Sequence, residues 1–350
     1  MGRIAAVATA TPSLDMDQTQ VEEFLTKHYS DRLSPRSRAV MKKIFAHPSI
    51  VRRFFAFESI ECLKNEDPDS RIDRFTRQAI ELSRHAVTKA LAQIGLTVDA
   101  ITGLVVNTCT GYLCPGISTY LIEELGLCRD ICAHDLVGCG CGGAIPNLRI
   151  SEALLKQSSD GVVVSVSVEI CSATFQMDDD LGLIVSNALF GDGAAAAVLW
   201  NRPQGLALVD SASRYAPEHR DALRYIYRDG QLYNQLSVAV PQLISKPVAE
   251  VVTDLLKPRK LQIADIQHWA LHPGGEKVIN AIKNEIGLSE KQVHITRDVL
   301  AKYGNMSSPT VWFVLRELLA RGIKPGEWCM MVAFGVGLSA HAFLLHAPPD

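Results

Sequence analysis

The chain has no apolar run approaching the roughly 18 residues that a membrane-spanning helix needs, so no membrane partner is expected. Its opening stretch, MGRIAAVATATPSLD, is apolar for too short a distance to act as a signal peptide. A cytoplasmic protein is therefore expected. Charge of one sign is also lacking. The formal net charge is −3, which leaves no general attraction for nucleic acid or an anionic lipid surface. No low-complexity segment or long linker is visible. Zinc-type ligand pairs are missing too, since such sites repeat Cys or His pairs at short gaps. Cys139 and Cys141 are separated by one glycine, and Cys128 and Cys132 are followed by no second pair. No metal is expected. In a reducing compartment the nine cysteines read as free thiols.

What remains is a 350-residue chain with 47% hydrophobic and 21% charged residues. That is enough for one large domain or two fused halves with a sizeable core. Residues 69–96 carry Ala79, Leu82, Ala86, Ala90 and Ile94 at helical spacing, and Gly95 marks the end. Apolar runs at 101–111, 161–171 and 193–200 read as buried strands. A helix lies between the first two, over 144–157, with Pro146 in its first turn. The second half repeats this grammar. A strand covers 266–275, a helix 307–322 begins at Pro309, and two strands span 327–346. Two α/β halves packed about a pseudo-twofold axis are expected, divided as 1–204 and 205–350. Residues 211–231 are polar and aromatic without a period and read as loop and edge structure.

The segment LVGCGCGGAIPN (136–147) sits where the first half turns into its helix. A thiol at a helix N-terminus has its pKa lowered by the macrodipole, and glycines let a substrate approach it. Cys139 can be such a nucleophile or simply a small buried hydrophobe. His272, in HPGG, ends an apolar strand, and is either a partner for that thiol or a core histidine. Asn305, in YGNMSS, is either an oxyanion donor or a helix cap. Together the three make chemical sense, because two hydrogen-bond donors beside a sulfur can hold a developing oxyanion.

GCGCGG, ALFGDGAAAAV, HPGG, YGNMSS and AFGVG resemble the type III polyketide synthases, the chalcone synthase-like family of the thiolase fold. The resemblance runs from about residue 3 to the C-terminus. It implies a five-layered αβαβα core, a homodimer, and acyl-CoA and malonyl-CoA as substrates with no metal or redox cofactor. It implies Cys139 as the nucleophile, His272 and Asn305 as its catalytic partners, and Cys141 as packing. Phe190 matches an aromatic gatekeeper. Basic residues near IVRRF imply that Arg52, Arg53, Lys42 and Lys43 bind CoA, although the lysines read equally well as a solvated face.

Several positions depart from the plant pattern of that family. Asn234 stands at the second gatekeeper, Tyr225 where a cavity glycine is usual, and Cys109 and Cys171 where threonines are common. Cys114 replaces a methionine that reaches the partner's cavity, and Val336 replaces a proline; Ser307 completes the cavity set. These changes imply a bacterial enzyme. The expected starter is a fatty acyl-CoA, giving an alkylpyrone or alkylresorcinol, with a small phenolic from malonyl units as the other reading. The same residues without productive decarboxylation would make an acyl-CoA thioesterase or a ketoacyl synthase III-like priming enzyme.

Overall fold

The computed structural model describes residues 2–64, 66–157, 160–228 and 230–349. Its centre is a nine-stranded sheet in the order His268–Leu271, Trp328–Gly335, Ser339–His346, Leu206–Tyr215, Arg3–Ala10, Asp192–Trp200, Val162–Ile170, Gly103–Asn107 and Cys132–Leu136. The order reads outward in the same way from a seam between Arg3–Ala10 and Leu206–Tyr215. On each side an antiparallel strand comes first, then another antiparallel one, then a parallel one. The seam itself is only two residue pairs long, Arg3 with Ala207 and Ile4 with Leu206.

The buried clusters define the layers. The helices Ala144–Leu155 and Thr310–Arg321 lie between the inner faces of the two half-sheets, with Leu148, Val311, Trp312 and Leu315 packed against Ala195, Ala197, Met331 and Phe343. The helix Pro68–Gln93 covers the outer face of the first half through Ala79, Leu82, Ala86 and Ala90. The helix Val240–Leu256 covers the second half through Ile244, Val248 and Val251. This is the five-layered αβαβα arrangement. Strands covered on both faces read as continuous apolar runs, and all nine residues of Asp192–Trp200 are buried. Its four alanines are poor strand formers, but their size lets helices approach from both sides.

Local signals work as the sequence implies. Asp67 caps the helix Pro68–Gln93 by accepting from the N–H groups of Asp69 and Ser70, and Pro68 occupies its first turn. Gly95 follows the end with φ of 65°, where a side chain would be strained. Residues 211–231 are more ordered than expected. The strand Leu206–Tyr215 takes the first part, and a hairpin of Leu223–Arg228 with Gln231–Leu236 takes the rest. That hairpin places Tyr225 directly opposite Asn234.

Candidate active site

Three chain segments meet at the end of the strand Trp328–Gly335. The loop before the helix Ala144–Leu155 packs on Gly335 so closely that a Cβ there would lie 2.5 Å from Gly142 N and 2.6 Å from Cys139 O. His272 leaves the neighbouring strand, with its backbone N–H donating to Val332 O at 2.8 Å. Its ring stands edge-on to Phe334, 5.0 Å between centroids. Asn305 follows the helix Glu290–Tyr303 and forms a short bridge with Phe190. Its N–H donates to Leu189 O at 2.9 Å, and its carbonyl accepts from Gly191 N at 3.0 Å.

The two cysteines of the motif have different neighbours. Cys139 is half-buried, and its sulfur lies 3.9 Å from Val137 O. Cys141 is half-buried too, and Ser307 and Asn305 stand close enough to its thiol to oppose the rise in its pKa. Gly138 and Gly140, with φ of 80° and 54°, shape the turn that carries the two cysteines.

A 3-10 turn, Gly140–Gly142, has Cys139 at its cap position and leads through Gly143 into the helix Ala144–Leu155, so both thiols stand at the N-terminal end of this run. Burial pushes the Cys141 thiol up to about 12, against the opposing pull of Ser307 and Asn305 hydrogen bonds and with the Glu169 carboxylate adding to the rise. The Cys139 thiol is raised as well, by burial first and then by Glu169. Burial drives His272 down to about 3. Burial thus favours the neutral form of both the Cys141 thiol and the His272 imidazole. Alkylation of Cys141 by iodoacetamide should accordingly rise about tenfold per pH unit from pH 7 to 10, followed peptide by peptide by mass spectrometry. A plateau already reached at pH 7 would contradict this electrostatic account.

His272 is 1% exposed, and neither ring nitrogen has a hydrogen-bond partner. Two unsatisfied polar atoms at that depth are costly and need a reason. A substrate oxygen would supply one. Asn305 does not cap a helix, since the following helix starts at Thr310 with Pro309 at the cap position. Its Oδ1 accepts from Ser307 N at 2.7 Å, which leaves its amide N–H groups for the thiol side. Ser307 itself is held at φ of 58°.

Behind the thiol lies Glu169, fully buried in the valine-rich strand Val162–Ile170. One carboxylate oxygen accepts from Cys109 N at 2.9 Å, Thr110 N at 3.1 Å, Thr110 Oγ1 at 2.9 Å and Thr108 Oγ1 at 3.2 Å. The other accepts from Ser308 Oγ at 2.8 Å and Ser307 Oγ at 3.4 Å. Burial still raises its pKa despite these donors. The sequence reading passed over this residue, although a lone Glu in VVVSVSVEI is the signature of a buried, fully bonded carboxylate.

Two cavities adjoin the centre. The smaller, about 40 Å³, is lined by Phe190, Asn234, Cys171, Thr174 and apolar residues including Phe24, Leu25 and Leu183. Asn234 donates to Ser186 Oγ at 3.1 Å, so both expected gatekeepers share one chamber. The larger, about 570 Å³, is open at one side and lined by Cys109, Tyr225, Val336, Arg220 and Arg224 among others. Cys109 Sγ lies 3.5 Å from Ser307 Oγ, so it forms the wall between this cavity and the thiol. The Tyr225 hydroxyl, 3.4 Å from Thr174 Oγ1, bars the way between the two chambers. Cys114 is exposed and lines neither of them.

The basic set divides. Lys42 and Lys43 are exposed on the helix Pro35–Phe45, and Arg52 is exposed and paired with Asp15 at 3.3 Å. Arg53 is 1% exposed and cannot reach a ligand in solvent, which corrects its assignment to CoA. It donates to Gln18 Oε1 at 2.9 Å, Asn187 O at 2.6 Å and Phe190 O at 2.7 Å. It thus fixes the gatekeeper backbone. Arg53→Met should lower unfolding free energy by about 3 kcal/mol, because two carbonyls lose charged donors. Urea titration measures it, and a loss within about 0.5 kcal/mol would show that those bonds are replaceable.

Comparison with known proteins places this geometry. Residues 1–203 match the chalcone and stilbene synthase N-terminal domain model, and residues 207–349 match the C-terminal domain model. The chain is 31% identical to the 3,5-dihydroxyphenylacetyl-CoA synthases of Streptomyces toyocaensis and Amycolatopsis balhimycina, covering 98% of this chain and 89% and 92% of theirs. Among solved structures it is similar to PKS-I from the brown alga Ectocarpus siliculosus, with TM-score 0.92, 29% identity and coverage of 99% and 98% of the two chains. The 1,3,6,8-tetrahydroxynaphthalene synthase of Streptomyces coelicolor shares the fold, with TM-score 0.91 at 21% identity over 99% of this chain and 100% of that one.

Proposed function

The chain belongs to the chalcone and stilbene synthase family of type III polyketide synthases, and from that premise we propose that Cys141, His272 and Asn305 form its condensing centre. Enzymes of this family are malonyl-CoA-dependent acyltransferases, and CoA thioesters are their substrates without a further cofactor. The assignment is supported by Asn305 and Ser307 beside the Cys141 thiol and by the buried His272, whose two ring nitrogens are unpartnered.

The chemistry follows from those groups. Cys141 Sγ attacks the carbonyl of an acyl-CoA, its proton passes to His272, and CoA leaves as the thiol with that proton returned. The acyl group is now a thioester on Cys141. Malonyl-CoA then loses CO₂, and the two electrons of the broken C–C bond become an enolate. His272 and Asn305 donate to the enolate oxygen, where charge develops. The enolate carbon attacks the Cys141 thioester, the C–S bond breaks to release the Cys141 thiolate, and the chain, two carbons longer, is left as a thioester of CoA. Phe190 and Asn234 shield these intermediates from water.

The product reading rests on the chambers. About 40 Å³ behind Phe190 and Asn234 is too little for an alkyl chain, which argues against the fatty acyl starter. A short, cyclised phenolic product fits the larger cavity, in keeping with the curated relatives' names. Incubation with labelled malonyl-CoA and a panel of acyl-CoAs, read by mass, tests this. A small phenolic supports it, and alkylpyrones from long acyl-CoAs would overturn it.

A homodimer is part of the reading. Tyr112 and Val137 are 66% and 55% exposed at the mouth of the large cavity. Exposed Cys114, on the same loop as Tyr112, lies where the family reaches into its partner. Sedimentation should give a dimer, and a fully active monomer would exclude it.

A further inference from the structure

A buried polar cluster lies behind the condensing centre, and the chemistry above does not use it. Asn107, Asn147, Ser167 and Ser308 are each 2% exposed or less. Asn147 Nδ2 faces acceptors, Val105 O at 3.1 Å, Val166 O at 2.8 Å and Asn107 Oδ1 at 2.9 Å. The Trp312 indole N–H, which can only donate, gives to Ser167 Oγ at 3.2 Å. The Ser167 hydroxyl therefore gives its own proton to Asn107 Oδ1, at 2.7 Å. With its oxygen so engaged, Asn107 turns its amide donor to Ser308 Oγ, at 2.8 Å. That leaves the Ser308 proton for Glu169 Oε1, also at 2.8 Å. The bonds of this chain all run in one direction, toward the carboxylate.

The duplication gives Asn107 a particular place. The parallel strand of each half pairs its first residue with the second residue of its neighbour, Gly103 with Val163 and His268 with Cys329. Counted from there, Asn107 stands in the first half where His272 stands in the second. Asn107 also packs on the end of the cysteine loop, since a Cβ on Gly143 would lie 2.7 Å from its Nδ2. We propose that Asn107 is a positioning residue of the condensing centre: by aiming the Ser308 hydroxyl at Glu169 it occupies that carboxylate oxygen and leaves the Ser307 hydroxyl for the thiol. This rests on the reading of Cys141 as the loaded residue. The distances agree with it. Ser308 Oγ lies 2.8 Å from Glu169 Oε1, whereas Ser307 Oγ lies 3.4 Å from the same oxygen and Ser307 acts on the Cys141 thiol. Without the Asn107 donor, the Ser308 hydroxyl can turn away, and Ser307 takes its place on the carboxylate.

The test separates this chain of bonds from mere packing. Asn107→Asp keeps the shape, and the oxygen for Asn147 and Ser167, but presents an acceptor to Ser308. Ser308→Ala removes the link, and Ser308→Thr keeps its hydroxyl. For CO₂ release from malonyl-CoA at pH 8, kcat should fall about tenfold in Asn107→Asp and in Ser308→Ala, with KM changed less than about twofold. Ser308→Thr should stay near wild type. The Asn107→Asp/Ser308→Ala double variant should be no worse than the weaker single one, because both changes break one chain. A protonated carboxyl can donate as the amide does. The Asn107→Asp rate, divided by the wild-type rate, should therefore rise as pH falls from 8 to 6, while the Ser308→Ala ratio stays flat. The titratable groups around the chain are Glu169, Cys109, Cys141 and Cys171, with His272 in the centre and His341 packed on Gly142. All are common to the variants and cancel in that ratio. Alkylation of Cys141 by iodoacetamide reads the thiol without substrate, and should slow about threefold in the two impaired variants. Additive losses, a flat ratio for Asn107→Asp, or alkylation at the wild-type rate would each overturn the proposal. Should Asn107→Asp not fold, Ser308→Ala against Ser308→Thr decides, and equal rates overturn it. Peptide mapping of the acyl-enzyme formed from acetyl-CoA reads the other assignment. An acyl group on Cys139, with Cys141 alkylation slowed, removes the condensing assignment and keeps the role of Asn107.

Discussion

Cys141→Ala is expected to abolish acyl-enzyme formation and polyketide release, while Cys139→Ala loads at close to the wild-type level. Removing a nucleophile that carries the intermediate costs at least about 1,000-fold, since no neighbouring group can take the acyl chain. The two cysteines are chemically identical and two residues apart, so the comparison isolates position. Of the two, Cys141 has Asn305 and Ser307 acting on its thiol. The sulfur of Cys139 contacts the Val137 carbonyl at 3.9 Å. Both variants replace a thiol by a methyl in a loop whose tight contacts involve glycine backbone, so neither should unfold. The measurement is intact-protein mass after exposure to an acyl-CoA, with peptide mapping of the modified residue. Loading that survives in Cys141→Ala and vanishes in Cys139→Ala would restore the first cysteine as nucleophile and break the present assignment.

This pair of residues shows where the sequence could be read and where it could not. Periodicity is informative when many residues share one environment. The helix Pro68–Gln93 and the strands Val162–Ile170 and Asp192–Trp200 are of this kind, and their repetition in the second half made the duplicated architecture legible. The places of His272 and Asn305 in the fold were also legible, because each follows the end of such an element. The loop 138–143 has no period. Its geometry depends on two glycines with positive φ, and spacing alone could not tell how they place the two thiols. The arginines were a different case. In the strand Arg52–Phe55 alternate residues face opposite sides, and the observed pattern is Arg52 exposed and Arg53 buried. Alternation in RRFF was available as a signal that only one of the two could face solvent.

The second large effect concerns Asn305. Asn305→Ala should still accept an acyl group from acyl-CoA but lose malonyl-CoA decarboxylation and extension by on the order of 100-fold or more, the usual consequence of removing one oxyanion donor. The side chain has two jobs that must be separated. Its Oδ1 accepts from Ser307 N at 2.7 Å and holds Ser307 at φ of 58°, while its amide N–H groups face the thiol. Alanine removes both. Asn305→Asp keeps an oxygen for Ser307 N and replaces the donor with an acceptor that repels the enolate. If the donor is what matters, the Asp variant should be at least as impaired as the Ala variant in CO₂ release, though its loop is supported. If the loop is what matters, the Asp variant should recover much of the rate. His272→Gln provides the contrast. It keeps a donor but removes the group that takes the Cys141 proton, so loading and decarboxylation should both fall. Acyl-enzyme mass and CO₂ release measured on the same three variants decide the matter. Normal CO₂ release from Asn305→Ala would remove Asn305 from the chemistry and leave His272 as the enolate's side-chain donor.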